Sequence, residues 1–376
     1  MTVRTFHGSW LLAGLFFCSS LLGCESADVC VPPEDNPSAC WCPGFQGKDC
    51  DQLNPDFGST WMQWVAENQP SWKSLRLRDI ALPGTHDSAS GYLDEEGANI
   101  TAYGVEGGES LVESVPEFLS GWAKTQLNGL TDQLRAGVRY FDLRMVLNAG
   151  TGPTFHHGDV YWDTEAIPVF EAFRDFMIAN PGEIIIFSMI NFAGAETNEV
   201  GHAAFVDSLQ EIFGELMVPA AFDAPARTID EILATPGRLV VFYERTDAEG
   251  FWAQERAANL YSTNRVYSNY DVNVNTGDKL EAHLMREMLL PVDDVKAIQG
   301  HLQYSQEVIQ SDIALYIEGY TKQERSVERA VEWLAAQRDN PEAIIRIVQF
   351  DYFELQAADF MKEFAEMNRA ISNRAE

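Results

Sequence analysis

Between about residues 75 and 371, short β-branched runs alternate with amphipathic stretches, and this alternation limits the fold more than any other feature. Repeated strand-helix units return each strand to the same sheet through a crossover, which builds a mainly parallel sheet with helices outside it. Apolar runs at 80–82, 138–145, 154–157, 183–190, 238–243 and 343–351 carry the strand signal. Helical spacing covers 126–136, 165–179, 198–216, 326–338 and 355–371, with Gly137 and Asn180-Pro181-Gly182 as stops. In 251–305 the clearest feature is a helix near 279–289. Ahead of the first strand, Trp61, Trp64 and Trp72 punctuate a helical stretch over 56–78 and are expected to cover the bottom of the sheet. Residues 89–124 read as a long glycine-punctuated loop, either a lid or a surface insertion.

Ionisable residues gather at the tips of these runs. Ile80-Ala-Leu-Pro-Gly-Thr-His86-Asp87 ends in an imidazole beside a carboxylate, Gly137 to Arg144 ends in arginine, and Phe155-His156-His157-Gly158-Asp159 follows. Near the C-terminus Ile345 to Asp351 ends in a carboxylate. A doubly wound sheet would need a phosphate loop after its first strand, and Pro83-Gly84-Thr85-His86 has neither GxGxxG nor a P-loop lysine. The expected fold is therefore α/β, an irregular (β/α) barrel of the TIM type over 54–376, which brings many strand tips to one mouth. Strand alternation puts Asp142 and Arg144 on one face and Arg139 on the other, making Arg139 a structural ion-pair residue and Asp142 a neighbour that supports Arg144.

The N-terminal region has its own signature. Residues 1–23, with Arg4 and the apolar stretch from Trp10 to Leu22, read as an export signal too short to span a membrane as a helix. Leu21-Leu22-Gly23-Cys24 resembles a bacterial lipobox, which implies lipid on Cys24, with an ordinary signal cleavage and a thiol at Cys24 as the alternative. Glu25 after it implies an outer-membrane lipoprotein. Cys30, Cys40, Cys42 and Cys50 then form an even cluster, read as two disulfides of open connectivity, with zinc as the competing reading. Cys40 to Cys50 resembles the last half of an EGF-like module, and 24–53 is expected to be a small stapled spacer. A net charge of −31, from 57 acidic and 26 basic residues, excludes nucleic acid as a partner and requires a local positive pocket for any anionic substrate.

Two histidines, an arginine and two carboxylates, with no nucleophilic Ser or Cys motif, form a set for acid-base cleavage of a phosphodiester. The ordered motifs Trp61-Met62, Leu-Pro-Gly-Thr-His-Asp-Ser, Gly-Val-Arg-Tyr-Phe-Asp-Leu-Arg, His-His-Gly, Asn-Pro-Gly-Glu-Ile-Ile-Ile and Gln-Phe-Asp resemble those of bacterial phosphatidylinositol-specific phospholipase C and its X-domain relatives. That resemblance spans roughly 59–371 and implies a phosphorus-oxygen lyase acting on phosphatidylinositol or a related phosphodiester lipid. It casts His86 as general base with Asp351 orienting it, His157 as general acid with Asp87 as partner, and Arg144 as the phosphate-stabilising cation. The implied product is an inositol 1,2-cyclic phosphate. Calcium-dependent relatives carry an acidic residue in place of that arginine, so Arg144 implies that no metal cofactor is needed.

The headgroup positions depart from the family pattern. Asn191 lies beyond the Ile-rich strand where lysine is the rule, Arg245 is offset by one residue, and Asp278 lacks the aromatic expected two positions later. These three are the expected substrate-binding residues, for an altered headgroup. Two other readings stay open: a metal-dependent phosphodiesterase using His86, Asp87, His157 and Asp159, and a tethered headgroup-binding protein without turnover. His202, His283 and His301 lie in no motif and are expected on the surface.

Overall fold

The computed structural model describes residues 45–46, 52–53, 57–103, 114–148, 152–244, 256–304 and 316–375. Strands β1 (Phe45–Gln46) and β2 (Gln52–Leu53) form a small antiparallel pair apart from the main sheet. The main sheet holds β3 (Leu82–Thr85), β4 (Ile100–Tyr103), β5 (Tyr140–Val146), β6 (Thr154–His157), β7 (Val160–Trp162), β8 (Ile185–Ala193), β9 (Leu239–Tyr243), β10 (Leu260–Ser262), β11 (Val266–Tyr267), β12 (Val295–Gln299) and β13 (Ile347–Phe350). Eight of these run parallel in the spatial order β10-β9-β8-β5-β3-β13-β12-β11.

The order is that of a (β/α) barrel with one junction missing. Among the described residues no pairing joins β10 to β11, although only the 3-10 turn Thr263–Arg265 separates them. The expected barrel is thus an open one. Sequence reading also missed β10, β11 and β12: β10 and β11 are too short to show a period, and Lys296 and Gln299 break the apolar pattern of β12. Residues 89–124 are less irregular than expected: they include β4 and the helix Pro116–Ala123. β4 pairs with β7, and β7 with β6, in an antiparallel flap attached to β5.

Strands covered on both faces should be apolar throughout, and β9 is buried at every position. Phe141 and Phe187 project from adjacent strands into a cluster with Phe170, Phe173 and Phe213, which ties the helices 166–179 and 199–213 to the sheet. At the opposite end from the site, Trp61 and Trp72 are fully buried. The Trp61 indole donates to Gly137 O at 2.9 Å, just ahead of β5. Trp72 donates to Asn368 Oδ1 at 3.0 Å, and Asn368 bonds both backbone groups of Ala81 ahead of β3. Gly137 ends the helix 130–136 with a φ of 117°, where an added Cβ would lie 2.2 Å from Met361 Sδ.

Arg139 is fully buried against Glu183, with Nη2 to Oε2 at 2.7 Å. Its other donors reach the carbonyls of Leu134, Val138, Gly58 and Ser59, so one guanidinium ties the first helix to the sheet. His202, His283 and His301 are buried, contrary to the surface expectation. His202 meets the Tyr243 hydroxyl at 2.6 Å, and His283 meets Arg286 at 2.9 Å. No described helix is long and apolar enough to cross a membrane.

Removing one partner of a buried ion pair leaves the other charge desolvated. Arg139→Met is expected to lower the unfolding free energy by about 3–5 kcal/mol in urea titration. A loss under ~1 kcal/mol would show that Glu183 is held by its backbone donors alone.

Candidate active site

Parallel strands end on the same side, so β3, β5 and β13 deliver their tips to one mouth. At the end of β3 the chain turns sharply, and Asp87 takes a left-handed φ of 42°, a conformation Asp tolerates better than most residues. Thr125 Oγ1 and Gln126 Nε2 both donate to His86 O, and the same Gln126 amide donates to Phe350 O at 2.8 Å. One buried amide therefore locks the ends of β3 and β13 together, fixing His86 relative to Asp351. The flap supplies His157, whose Nδ1 lies 2.7 Å from Ala123 O at the end of the helix 116–123.

Asp87 lies at the centre. Its Oδ2 is 3.0 Å from His86 Nε2 and 2.9 Å from His157 Nε2, and its Oδ1 is 2.7 Å from Arg144 Nε. His86 Nδ1 meets Asp351 Oδ1 at 2.9 Å, and Arg144 Nη2 meets Asp142 Oδ2 at 3.2 Å. Asp142 also accepts from the Asp87 backbone N–H, at 3.2 Å. The two imidazoles meet edge to face with centroids 5.6 Å apart.

Burial alone would lower the His86 pKa, but the carboxylates of Asp87 and Asp351 outweigh it and push it up to about 10. Burial would raise that of Asp87; Arg144, then His157 and His86, hold it well below the usual carboxylate range instead. Arg144 Nη2 is also 3.1 Å from His86 Nε2. In the charged ring that nitrogen carries a proton, so the guanidinium is a close like-charged neighbour. His157 sits between two oxygens, with Asp87 Oδ2 2.9 Å from Nε2 and Ala123 O 2.7 Å from Nδ1. His301 is the contrast. It stacks on His86 with centroids 4.0 Å apart, and burial, with the charge on His86 also opposing protonation, brings its pKa down to about 4.

His86, Asp142, Arg144 and His157 edge a cavity of about 420 Å³. Uncharged polar side chains, Ser188, Asn191, Thr263, Ser268, Gln299 and Gln349, share its wall with Tyr140, Ile190, Val266 and Tyr270, and Arg144 is its only lysine or arginine among the described residues. Such a wall can hold one phosphate charge and a hydroxylated headgroup. Two sets of donors lie close enough to hold a metal: His86 with Asp87 and His157, and His86 with His301 and Asp351. A dication in the first set would have to displace the guanidinium in contact with Asp87. Asp159 is exposed and belongs to neither set.

The structure therefore brings His86, Asp87, Asp142, Arg144, His157 and Asp351 together and puts Asn191 on the cavity wall. Asp278 is not brought there. It is 89% exposed in the first turn of the helix 277–287 and pairs with Arg329. Arg245 and Cys24, Cys30, Cys40, Cys42 and Cys50 lie outside the described residues. Sequence reading missed His301, and the signal was present: Ala297-Ile-Gln-Gly-His301 repeats the apolar run, glycine and histidine of Leu82 to His86. His156, neighbour to His157, turns away and bonds the carbonyl of Asn191, where a bulge breaks the β5-β8 register.

An open, mainly parallel α/β barrel with its polar mouth at the strand ends defines the fold class. Solved structures of phosphatidylinositol-specific phospholipase C share it. A variant of the Staphylococcus aureus protein aligns over 81% of this chain and 99% of its own, with 17% identity and a TM-score of 0.55. The Listeria monocytogenes protein aligns over 81% and 98%, with 16% identity and a TM-score of 0.52. In sequence the chain is similar to the human PI-PLC X domain-containing protein 3, 24% identical over 324 residues, 81% of this chain and 92% of the relative. It is also similar to human PI-PLC X domain-containing protein 2, 28% identical over 191 residues, 48% and 59% of the two chains. No family model matches the chain.

Two carboxylates hold the His86 charge, so removing one should release it. Proton NMR of the imidazole signals is expected to show His86 titrating near pH 10. The midpoint should fall by about one unit or more in Asp351→Asn. A wild-type midpoint at the ordinary histidine value would overturn the charged-ring picture.

Proposed function

We propose that this chain is a phosphodiesterase of the phosphatidylinositol-specific phospholipase C type, working by acid-base chemistry between His86 and His157. The observation that carries this reading is the contact of both rings and Arg144 with the single carboxylate of Asp87, at the edge of a cavity with one arginine. The similarity to PI-PLC X domain-containing proteins supports the same class.

An entering phosphodiester competes with Asp87 for the Arg144 guanidinium, whose planar fork matches two phosphoryl oxygens. His86, once it has lost its proton, takes the proton of a headgroup hydroxyl, and that oxygen attacks phosphorus. The bond from phosphorus to the leaving alcohol breaks, and His157 gives its Nε2 proton to the departing oxygen. The product is a cyclic phosphodiester and a free alcohol, and exchange with solvent restores both rings. Asp351 holds Nδ1 of His86, so Nε2 faces the cavity. With phosphatidylinositol the product would be inositol 1,2-cyclic phosphate; a wall of hydroxyl and amide groups suits that headgroup or another neutral polyol. Arg144 supplies the positive charge that a metal would otherwise bring, so the reaction is proposed to need none.

The proposed setting is an exported lipoprotein held at a membrane by acyl chains on Cys24, with the cysteine-rich segment 24–53 as spacer. Metabolic labelling with a radioactive fatty acid should mark the wild-type chain in a bacterial host, and Cys24→Ala should remove the label.

The reaction is tested with phosphatidylinositol in excess EDTA, followed by phosphorus NMR. A cyclic phosphate is expected. His86→Ala and His157→Ala should each lower kcat by about 10²–10⁴, and Arg144→Met by about 10²–10³. Because the free enzyme must deprotonate His86, kcat/KM should climb with pH above neutrality toward about 10. Activity that appears only with added calcium would shift the mechanism to a metal. Binding of inositol phosphates with no turnover of any phosphodiester would leave a headgroup-binding protein.

A further inference from the structure

The proposed chemistry leaves the buried imidazole of His301 unused. That residue stands just beyond the tip of β12, where the Gly300 N–H donates to Gln349 O at 2.7 Å and carries the β12-β13 pairing past its last strand residue. A Cβ at Gly300 would lie 2.7 Å from Val348 Cγ1 and 3.0 Å from Gln349 O, so only glycine lets the two tips close up this far. His301 thereby lies flat on His86, with 4.0 Å between centroids and 11° between planes.

The ring is held along both edges. Its Nδ1 lies 2.9 Å from Leu302 O, and its Nε2 lies 2.5 Å from the Gln299 side-chain amide, which also bonds Ser268 Oγ at 2.6 Å. Gln299 and Ser268 line the large cavity, whereas His301 lines only a smaller one of about 80 Å³ beside it. His301 can therefore act on a substrate in the large cavity only through its neighbours, and two of these make up the proposed base. One is the stacked His86; the other is Asp351, whose Oδ1 holds His86 Nδ1 while its Oδ2 lies 3.5 Å from His301 Nδ1.

We propose that His301 is a positioning residue for the general base: its ring, clamped by Gln299 and the Leu302 carbonyl, is the plate that fixes the plane of His86. The assignment rests on the reaction proposed above, in which His86 must present Nε2 to a headgroup hydroxyl. Asp351 holds His86 at one nitrogen, and a turn of the ring about that contact would swing Nε2 off line. A flat surface against the ring face blocks that turn. Misplacing a reacting group by about 1 Å can cost about 10²-fold in rate, so the plate matters to turnover. The low pKa of His301 keeps the plate neutral, which adds no like charge to the guanidinium already beside His86.

Two variants of the full chain separate the plate from the rest of the side chain. His301→Leu and His301→Phe both fill the site and both remove the ring nitrogens, but only Phe keeps a flat ring. Stability lost at Gln299 and Leu302 is common to the two, so their ratio reports the plate. With phosphatidylinositol, His301→Leu is expected to lower kcat by about 10²-fold with KM little changed. His301→Phe should stay within about tenfold of wild type, the worth of the lost hydrogen bonds. Equal kcat in the two variants, or a loss in His301→Leu confined to KM, overturns the proposal. Proton NMR of the free protein tests the same point without turnover. The wild-type His86 ring protons should be shifted upfield by the stacked ring, and an unshifted signal overturns the proposal with no variant needed. His86 is faced by Asp87, Asp351, Arg144 and His157, and its midpoint near pH 10 should hold in His301→Phe. In His301→Leu it should fall by about one unit as the ring leaves its carboxylates. If the wild type cleaves no diester, the chemistry fails, and the NMR measurements still decide the positioning.

Discussion

One carboxylate carries the organisation of this protein. Asp87 is almost wholly buried, yet it is ionised, because the Arg144 guanidinium and two imidazoles converge on its two oxygens. Desolvating an isolated carboxylate would cost several kcal/mol or more, and only such convergence makes the position tolerable. The dependence runs both ways. Without Asp87, the charged His86 ring and the Arg144 guanidinium would be like charges crowded at one strand end. Asp142 and Asp351 add two more carboxylates beside Arg144 and His86, in a molecule that carries a net charge of −31.

The fold supplies the rigidity this balance needs. Asp87 adopts its left-handed conformation on a turn whose backbone oxygen is claimed by Thr125 and Gln126. Gln126 joins that turn to the end of β13, while Trp61, Trp72 and Arg139 fasten the opposite end of the strands to surrounding helices. Tight packing at one end and a polar mouth at the other is the division of labour expected of parallel barrels. His301 adds a neutral aromatic surface against His86, letting the charged ring be buried without a further like charge.

How much of this the sequence disclosed follows physical lines. Long apolar runs and long amphipathic helices were legible, because their periodicity averages over many residues. Strands β10, β11 and β12 were not, since each is short and Lys296 and Gln299 interrupt the apolar run of β12. The polar tips of the central strands could be read because each follows a strong apolar run. The stacking of His301 on His86 was missed because its signal is a single Gly300-His301 step at the end of a short, polar-interrupted strand. Asp278 shows the reverse error, since a residue at a familiar position lies on a helix facing solvent and pairs with Arg329.

The missing junction between β10 and β11 lies beside the large cavity, which Thr263 and Val266 help to line. Elsewhere around the mouth, neighbouring strands are bound by ladder hydrogen bonds, and the spacing of their side chains is fixed by the pleat. At the seam no ladder sets the distance across the gap. Changes in side-chain bulk there can widen or narrow the pocket without breaking a strand pair. The catalytic-looking charges, rooted in β3, β5, β13 and the flap, would keep their positions. The architecture thus separates the part of the mouth that must stay fixed from the part free to vary in shape.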